Sequence, residues 1–131
     1  MNKQARLALL IGAASAFLAV VFGAFGAHML ASRVSSGFLS IWETAVFYQI
    51  VHALALILLG LFSVVVPQTT RHLTWILYSF VLGIVLFSGS LYILVLSGVA
   101  LFGAITPLGG ILFLLAWALW VRLVLRLSVP F

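Results

Sequence analysis

The stretch that decides the fold is residues 7–30, "LALLIGAASAFLAVVFGAFGAHML". No charged side chain interrupts it, and about 20 apolar residues are enough to carry a helix across a hydrocarbon layer of about 30 Å. A secretory signal core, about 7 to 15 residues long, is shorter than this run, so the expectation is a retained first span. Outward from it, three more apolar runs cover about 44–66, 73–97 and 107–125. Together they account for a chain of 131 residues that is 66% hydrophobic and only 5% charged, with a mean hydropathy of +1.43. So little polar surface excludes a soluble domain.

In lipid, only a helix or a closed barrel satisfies every backbone donor and acceptor, and the chain has none of the short alternating segments of a barrel strand. The predicted fold is therefore an all-α membrane protein, a four-transmembrane-helix bundle forming one domain over residues 1–131. The polar-to-apolar stretch at 35–42 is expected to lie along the membrane interface.

Charge sets the expected orientation. The net charge is +5, but its carriers stand at the ends of apolar runs and form no stripe, so no nucleic-acid partner is implied. Lys3, Arg6, Arg71, Arg122 and Arg126 fall on one side and Arg33 alone on the other. The positive-inside rule then puts both termini of this multi-pass protein in the cytoplasm. Trp75, Trp117 and Trp120 are expected near the inner boundary and Trp42 near the outer one. The chain has no cysteine, which removes disulfides and thiolate metal sites from consideration.

Small residues mark candidate packing seams. Gly12, Ala16, Ala19, Gly23 and Gly26 recur at steps of four and three, the spacing that keeps one helix face on a neighbour, and small side chains let helices approach closely in lipid. Ser79, Gly83, Ser90 and Ser97 form a similar stripe in the third span. Ser40 with Glu43 fits a capping box at the head of the second span, and Thr106 with Pro107 fits an N-cap followed by proline.

The remaining polar residues gather toward the outer half. His28 ends the first span and Glu43 heads the second, with Tyr48, Gln49 and His52 descending from it; His52 lies about 14 Å below Glu43 at 1.5 Å per residue. Ser88, Ser90 and Tyr92 occupy the outer half of the third span. His52 reads either as a ligand or proton carrier or as a neutral ring hydrogen-bonded inside the bundle. His28 is expected to be held by Glu43 or by a backbone carbonyl. A metal site combining His28, Glu43 and His52 is disfavoured because Glu43 and His52 lie about two and a half turns apart and cannot both reach one ion unless the helix bends, and haem ligation by the two histidines finds no other support, so no metal and no cofactor is expected. A single carboxylate, with no phosphate-binding loop, leaves no familiar catalytic set, and the chain reads as a non-enzyme.

Four stretches, "GAFGAHML" (23–30), "WETAVFYQIVHALAL" (42–56), "FSGSLYIL" (87–94) and "ITPLGG" (105–110), resemble the signatures of the YgdD/YwdK-like small inner-membrane proteins, a family of unknown function with relatives among eukaryotic mitochondrial membrane proteins. The resemblance spans nearly the whole chain and implies a four-helix, multi-pass protein of the bacterial inner (plasma) membrane without any established activity. Its pattern falls on Gly23, Gly26, His28, Trp42, Ala45, Tyr48, Gln49, His52, Ser88, Gly89, Ser90, Tyr92, Thr106, Pro107, Gly109 and Gly110.

The favoured function is that of a structural or interaction protein, a homo-oligomer or an accessory subunit of a larger membrane-protein complex in contact with membrane lipids. The alternative is an oligomeric transporter or channel for a small solute or proton that uses the polar cluster.

Overall fold

The computed structural model describes residues 1–66 and 70–127. Four helices run in order: α1 over Lys3–Phe25, extended by a π-helical turn at Gly26–Leu30; α2 over Ser36–Val65; α3 over Thr70–Ser97; and α4 over Thr106–Arg126, preceded by a 3-10 turn at Ala100–Ala104. Each of the four is long and apolar enough to cross a membrane.

The ends are fixed by local chemistry. Asn2 caps α1, its Oδ1 accepting from the Ala5 amide at 2.7 Å, and its Nδ2 reaches across to Ser63 Oγ at 3.1 Å. Ser35 caps α2 by accepting from the Phe38 amide at 3.2 Å. The expected capping box is therefore displaced: Ser40 already lies inside α2, where its carbonyl accepts from Thr44 Oγ1. Residues 36–42 form the first turns of α2, with Trp42 buried, and do not lie as a separate interfacial segment. At 30 residues and 1.5 Å per residue, α2 is about 45 Å long, which outreaches the hydrocarbon layer. Gly98 closes α3 in the left-handed region at φ +70°, its amide bonding the Leu94 carbonyl at 2.8 Å.

Helices α2 and α3 pack on each other, α1 runs along α2, and α4 runs along α3. The outer helices therefore bury less of themselves: 22% of the most apolar window of α1 and of α4 is buried, against 44% in α2 and 39% in α3. On α1 and its π turn the buried positions are Ala5, Ala8, Gly12, Ser15, Ala19, Gly26 and Leu30, spaced by three or four residues apart from the step of seven between Ala19 and Gly26. Gly12, Ala19 and Gly26 lie on this buried face. Ala16 and Gly23 flank it half-buried, because Ser15 and Phe22 take those steps. The two backbones come close at Gly12, where a Cβ would stand 2.9 Å from the Ala53 carbonyl oxygen of α2. Gly60 of α2 answers it, with a Cβ there falling 3.1 Å from the Ala5 carbonyl oxygen. Between α3 and α4, Gly83 makes room for the Phe113 ring. Ser97 leaves its expected stripe: it is exposed and bonds the Ile93 carbonyl of its own helix.

The core separates into two apolar clusters. One, around Leu56, Leu59, Leu73, Ile76, Leu77 and Phe80, fills the half nearer the start of α1. The other, formed by Leu30, Trp42, Ala45, Tyr92 and Val95, fills the opposite end. Gln49 and His52 lie along α2 between Ala45 of the second cluster and Ala55 of the first.

Candidate functional site

Trp42 dominates the upper end of the site. It is 3% exposed, and its indole N–H donates to the Phe22 carbonyl of α1 at 2.8 Å. Its ring lies against Gly26, where a Cβ would come within 2.6 Å of Trp42 Cδ1. This explains the composition of "GAFGAHML": only a residue without a side chain admits the indole at position 26. The π turn begins at this same glycine. Phe22, Phe25 and Tyr92 surround the ring, with the Tyr92 centroid at 4.6 Å.

One step down, Gln49 bridges three helices. Its Nε2 donates to the Ser15 carbonyl of α1 at 3.0 Å, while its Oε1 accepts from the Tyr92 hydroxyl of α3 at 2.7 Å. Ser88 of α3 adds a parallel tie, donating to the Ala45 carbonyl of α2 at 2.7 Å. Each bond satisfies a polar atom that lipid could not, and together they fix the mutual height of α1, α2 and α3.

His52 forms the third layer. Its Nδ1 stands 2.7 Å from the Tyr48 carbonyl, and its Nε2 lies 3.2 Å from the indole N–H of Trp117 on α4. A carbonyl can only accept and an indole N–H can only donate, so Nδ1 carries the proton and Nε2 is bare. The ring is therefore the neutral Nδ1–H tautomer. It stacks on Phe113 with centroids 3.5 Å apart and planes 5° apart. A groove of about 550 Å³ opens beside it, with Tyr48, Phe87, Pro107, Gly110 and Trp117 among its lining residues. Gly109 lets α4 lie close to α3 next to the groove, since a Cβ there would overlap the backbone of Phe87.

A family model described as "Protein of unknown function (DUF423)" matches residues 22–110. That range begins at the carbonyl that receives the Trp42 bond and ends at the groove. The chain belongs to this family. Among its relatives, a UPF0382 membrane protein of Staphylococcus aureus (strain bovine RF122 / ET3-1) is 44% identical over 112 residues, covering 86% of this chain and 89% of the relative. A UPF0382 membrane protein of Staphylococcus epidermidis (strain ATCC 35984) is 43% identical over 120 residues, covering 92% and 96%. The UPF0382 membrane protein YwdK of Bacillus subtilis (strain 168) is 42% identical over 113 residues, covering 83% and 88%. No solved structure matches.

In this DUF423 membrane protein the residues singled out from the sequence divide into two groups. Gln49, His52, Ser88 and Tyr92 join the interhelical network. Ser90 bonds Thr106 side chain to side chain at 2.7 Å, tying α3 to the start of α4. Thr106 therefore does not act as a cap: α4 is capped from Ile105 without a side-chain bond, and Pro107 occupies its first turn. Tyr48 contributes its backbone carbonyl and an exposed ring packed on Phe87 at 4.4 Å.

His28 and Glu43 stay outside the network. Both are exposed, and no hydrogen bond or ion pair joins them. His28 lies in the π turn, where solvent or headgroups can satisfy it.

Sequence reasoning missed Trp42 and Trp117 as donors, having placed both at membrane boundaries. Trp117 sits near the middle of α4 and reaches His52, also near mid-helix. Periodicity could have shown this for Trp42, since 42, 45, 49, 52, 56, 59 and 63 form one unbroken buried seam on α2. The Ser15 hydroxyl, also unanticipated, is buried without a hydrogen-bond partner.

Proposed function

We propose that this DUF423 protein is a non-catalytic structural module of the bacterial inner membrane, with both ends in the cytoplasm, that works by associating with copies of itself or with a larger membrane complex. The observation that carries this reading is the use of the buried donors. Trp42, Gln49, Ser88, Tyr92 and Trp117 each donate to another helix of the same bundle. Below His52, the Leu56 to Phe80 cluster fills the core with hydrocarbon. A solute or proton path would need polar groups free to exchange partners, so the arrangement favours a rigid framework over the transport alternative.

The outer helices supply the contact surface. Beyond its seam with α2, α1 exposes Ala13, Phe17, Val20, Ala24 and Ala27, again at steps of four and three. Ala13, Ala24 and Ala27 leave room on this face for a second helix approaching from the membrane.

The absence of native cysteine makes the test direct. Ala24→Cys, oxidised in intact membranes, is expected to give a crosslinked dimer or a crosslink to one defined partner paired with its own cysteine. Leu58→Cys on the exposed face of α2 is the comparison. A monomeric mass after mild extraction, with no crosslink from α1, would sink the proposal. Orientation is read separately from a reporter fused after Phe131, a residue outside the described structure: activity confined to the non-cytoplasmic side would invert the topology.

A further inference from the structure

A second feature lies at the other end of the molecule, where the polar network plays no part. A cavity of about 130 Å³ opens between the first turns of α3 and the last turns of α4, lined by His72, Trp75, Leu119, Arg122, Leu123 and Arg126. We propose that it is a binding site for the phosphate headgroup of an anionic phospholipid.

Its parts match the boundary region of such a lipid. Leu123, which is buried, and Leu119, which is half-buried, form an apolar base. Arg122 and Arg126 stand one helical turn apart on α4, so their guanidinium groups can approach one phosphate together. Planar guanidinium donors fit phosphate oxygens in pairs. His72 adds a ring nitrogen from the α3 side. Trp75 is 65% exposed at the end of its span, the depth at which indole rings sit among headgroups and glycerol. The start of α3 adds the positive end of its helix dipole.

Charge complementarity selects the anionic class. Lys3, Arg6 and Arg71 stand at this same end, while the only acidic side chain, Glu43, heads the opposite one. A zwitterionic lipid would bring its ammonium group into this positive field. A lipid with a net negative headgroup brings no such opposing charge, and its acyl chains continue into the surrounding hydrocarbon, whereas free phosphate would use only the polar half of the cavity.

The experiment is native mass spectrometry of the full chain released from zwitterionic detergent with phosphatidylglycerol or phosphatidylcholine added. Wild type is expected to retain phosphatidylglycerol in preference. Arg122→Gln with Arg126→Gln should weaken that retention about tenfold or more, because it removes both guanidinium groups that line the cavity and can pair with the phosphate oxygens. Lys3→Gln with Arg6→Gln removes the same charge away from the cavity and should change it less than about twofold. Equal loss in the two double variants, or loss in neither, overturns the site.

Arg122→Lys with Arg126→Lys keeps the charge and loses the paired donors, so it carries the test if the glutamine pair fails to fold. Unchanged retention there would reduce the effect to general attraction and overturn the proposal. Displacement of phosphatidylglycerol by inorganic phosphate at equal concentration would make free phosphate the ligand and overturn the lipid assignment.

Discussion

Replacing Gln49 by leucine tests the polar framework at the point where three helices meet. The substitution removes the bond from Nε2 to the Ser15 carbonyl and the acceptor of the Tyr92 hydroxyl. Interhelical hydrogen bonds in membranes average about 0.6 kcal/mol, so the two bonds together contribute about 1.2 kcal/mol. Tyr92 is 9% exposed, and a buried hydroxyl left without its acceptor adds about 1–3 kcal/mol. Gln49→Leu should therefore cost about 2–4 kcal/mol in total. In a Tyr92→Phe background the stranded hydroxyl is gone and only the Ser15 bond remains to be lost, so the same substitution should cost about 0.6 kcal/mol. The difference, roughly 1.5–3.5 kcal/mol, is the coupling expected between the two positions. Reversible unfolding of the four proteins in mixed micelles of mild detergent and sodium dodecyl sulfate, followed by circular dichroism, measures it. Additive costs within error would refute the bridge, leaving Gln49 and Tyr92 as neighbours that share no bond.

Two further outcomes follow from the layers above and below. Gly26→Val pushes a side chain into the Trp42 indole and should destabilise the bundle by about 1–3 kcal/mol. Gly23→Ala should cost clearly less, because a Cβ there meets only Val46 Cγ1 at 3.4 Å; equal midpoints for the two variants in thermal unfolding would argue against the Trp42 contact. His52→Phe keeps a ring to stack on Phe113 but strands the Trp117 N–H, with an expected loss of about 1–3 kcal/mol. That loss should largely disappear when Trp117→Phe is added, and the same unfolding assay would expose its persistence.

The four membrane helices were legible because hydropathy over about 20 residues reports them almost without regard to packing. The seam on α1 was legible in part: glycine and alanine at threes and fours mark close approach, but Ser15 and Phe22 occupy seam steps and look like neither. The start of α2 was misplaced because Ser40 and Glu43 imitate a capping box, whereas Ser35, one residue outside the helix, makes the bond. Gln49, His52, Ser88 and Tyr92 were identifiable as polar residues in an apolar setting. Their partners were not, because three of the acceptors are backbone carbonyls, at Ser15, Ala45 and Tyr48. A carbonyl belongs to every residue and leaves no mark in the amino-acid code. The same limit applies to His28 and Glu43, which share an end of the molecule, yet are both exposed with no bond joining them.

The arrangement of the helices has a consequence for biogenesis. Because α1 packs along α2 and α4 along α3, the chain consists of two helical hairpins, each able to close on leaving the translocon. In the first hairpin, Trp42 and the amide nitrogen of Gln49 already find their acceptors on α1, while the carbonyl oxygen of Gln49 still waits for Tyr92. The second hairpin carries the matching donors, Tyr92 and Ser88, on α3. Insertion can therefore proceed pairwise, with each half stable in lipid and a few unmatched polar atoms guiding the halves together in register. Cutting the gene between α2 and α3 should yield two fragments that reassemble when made in the same cell.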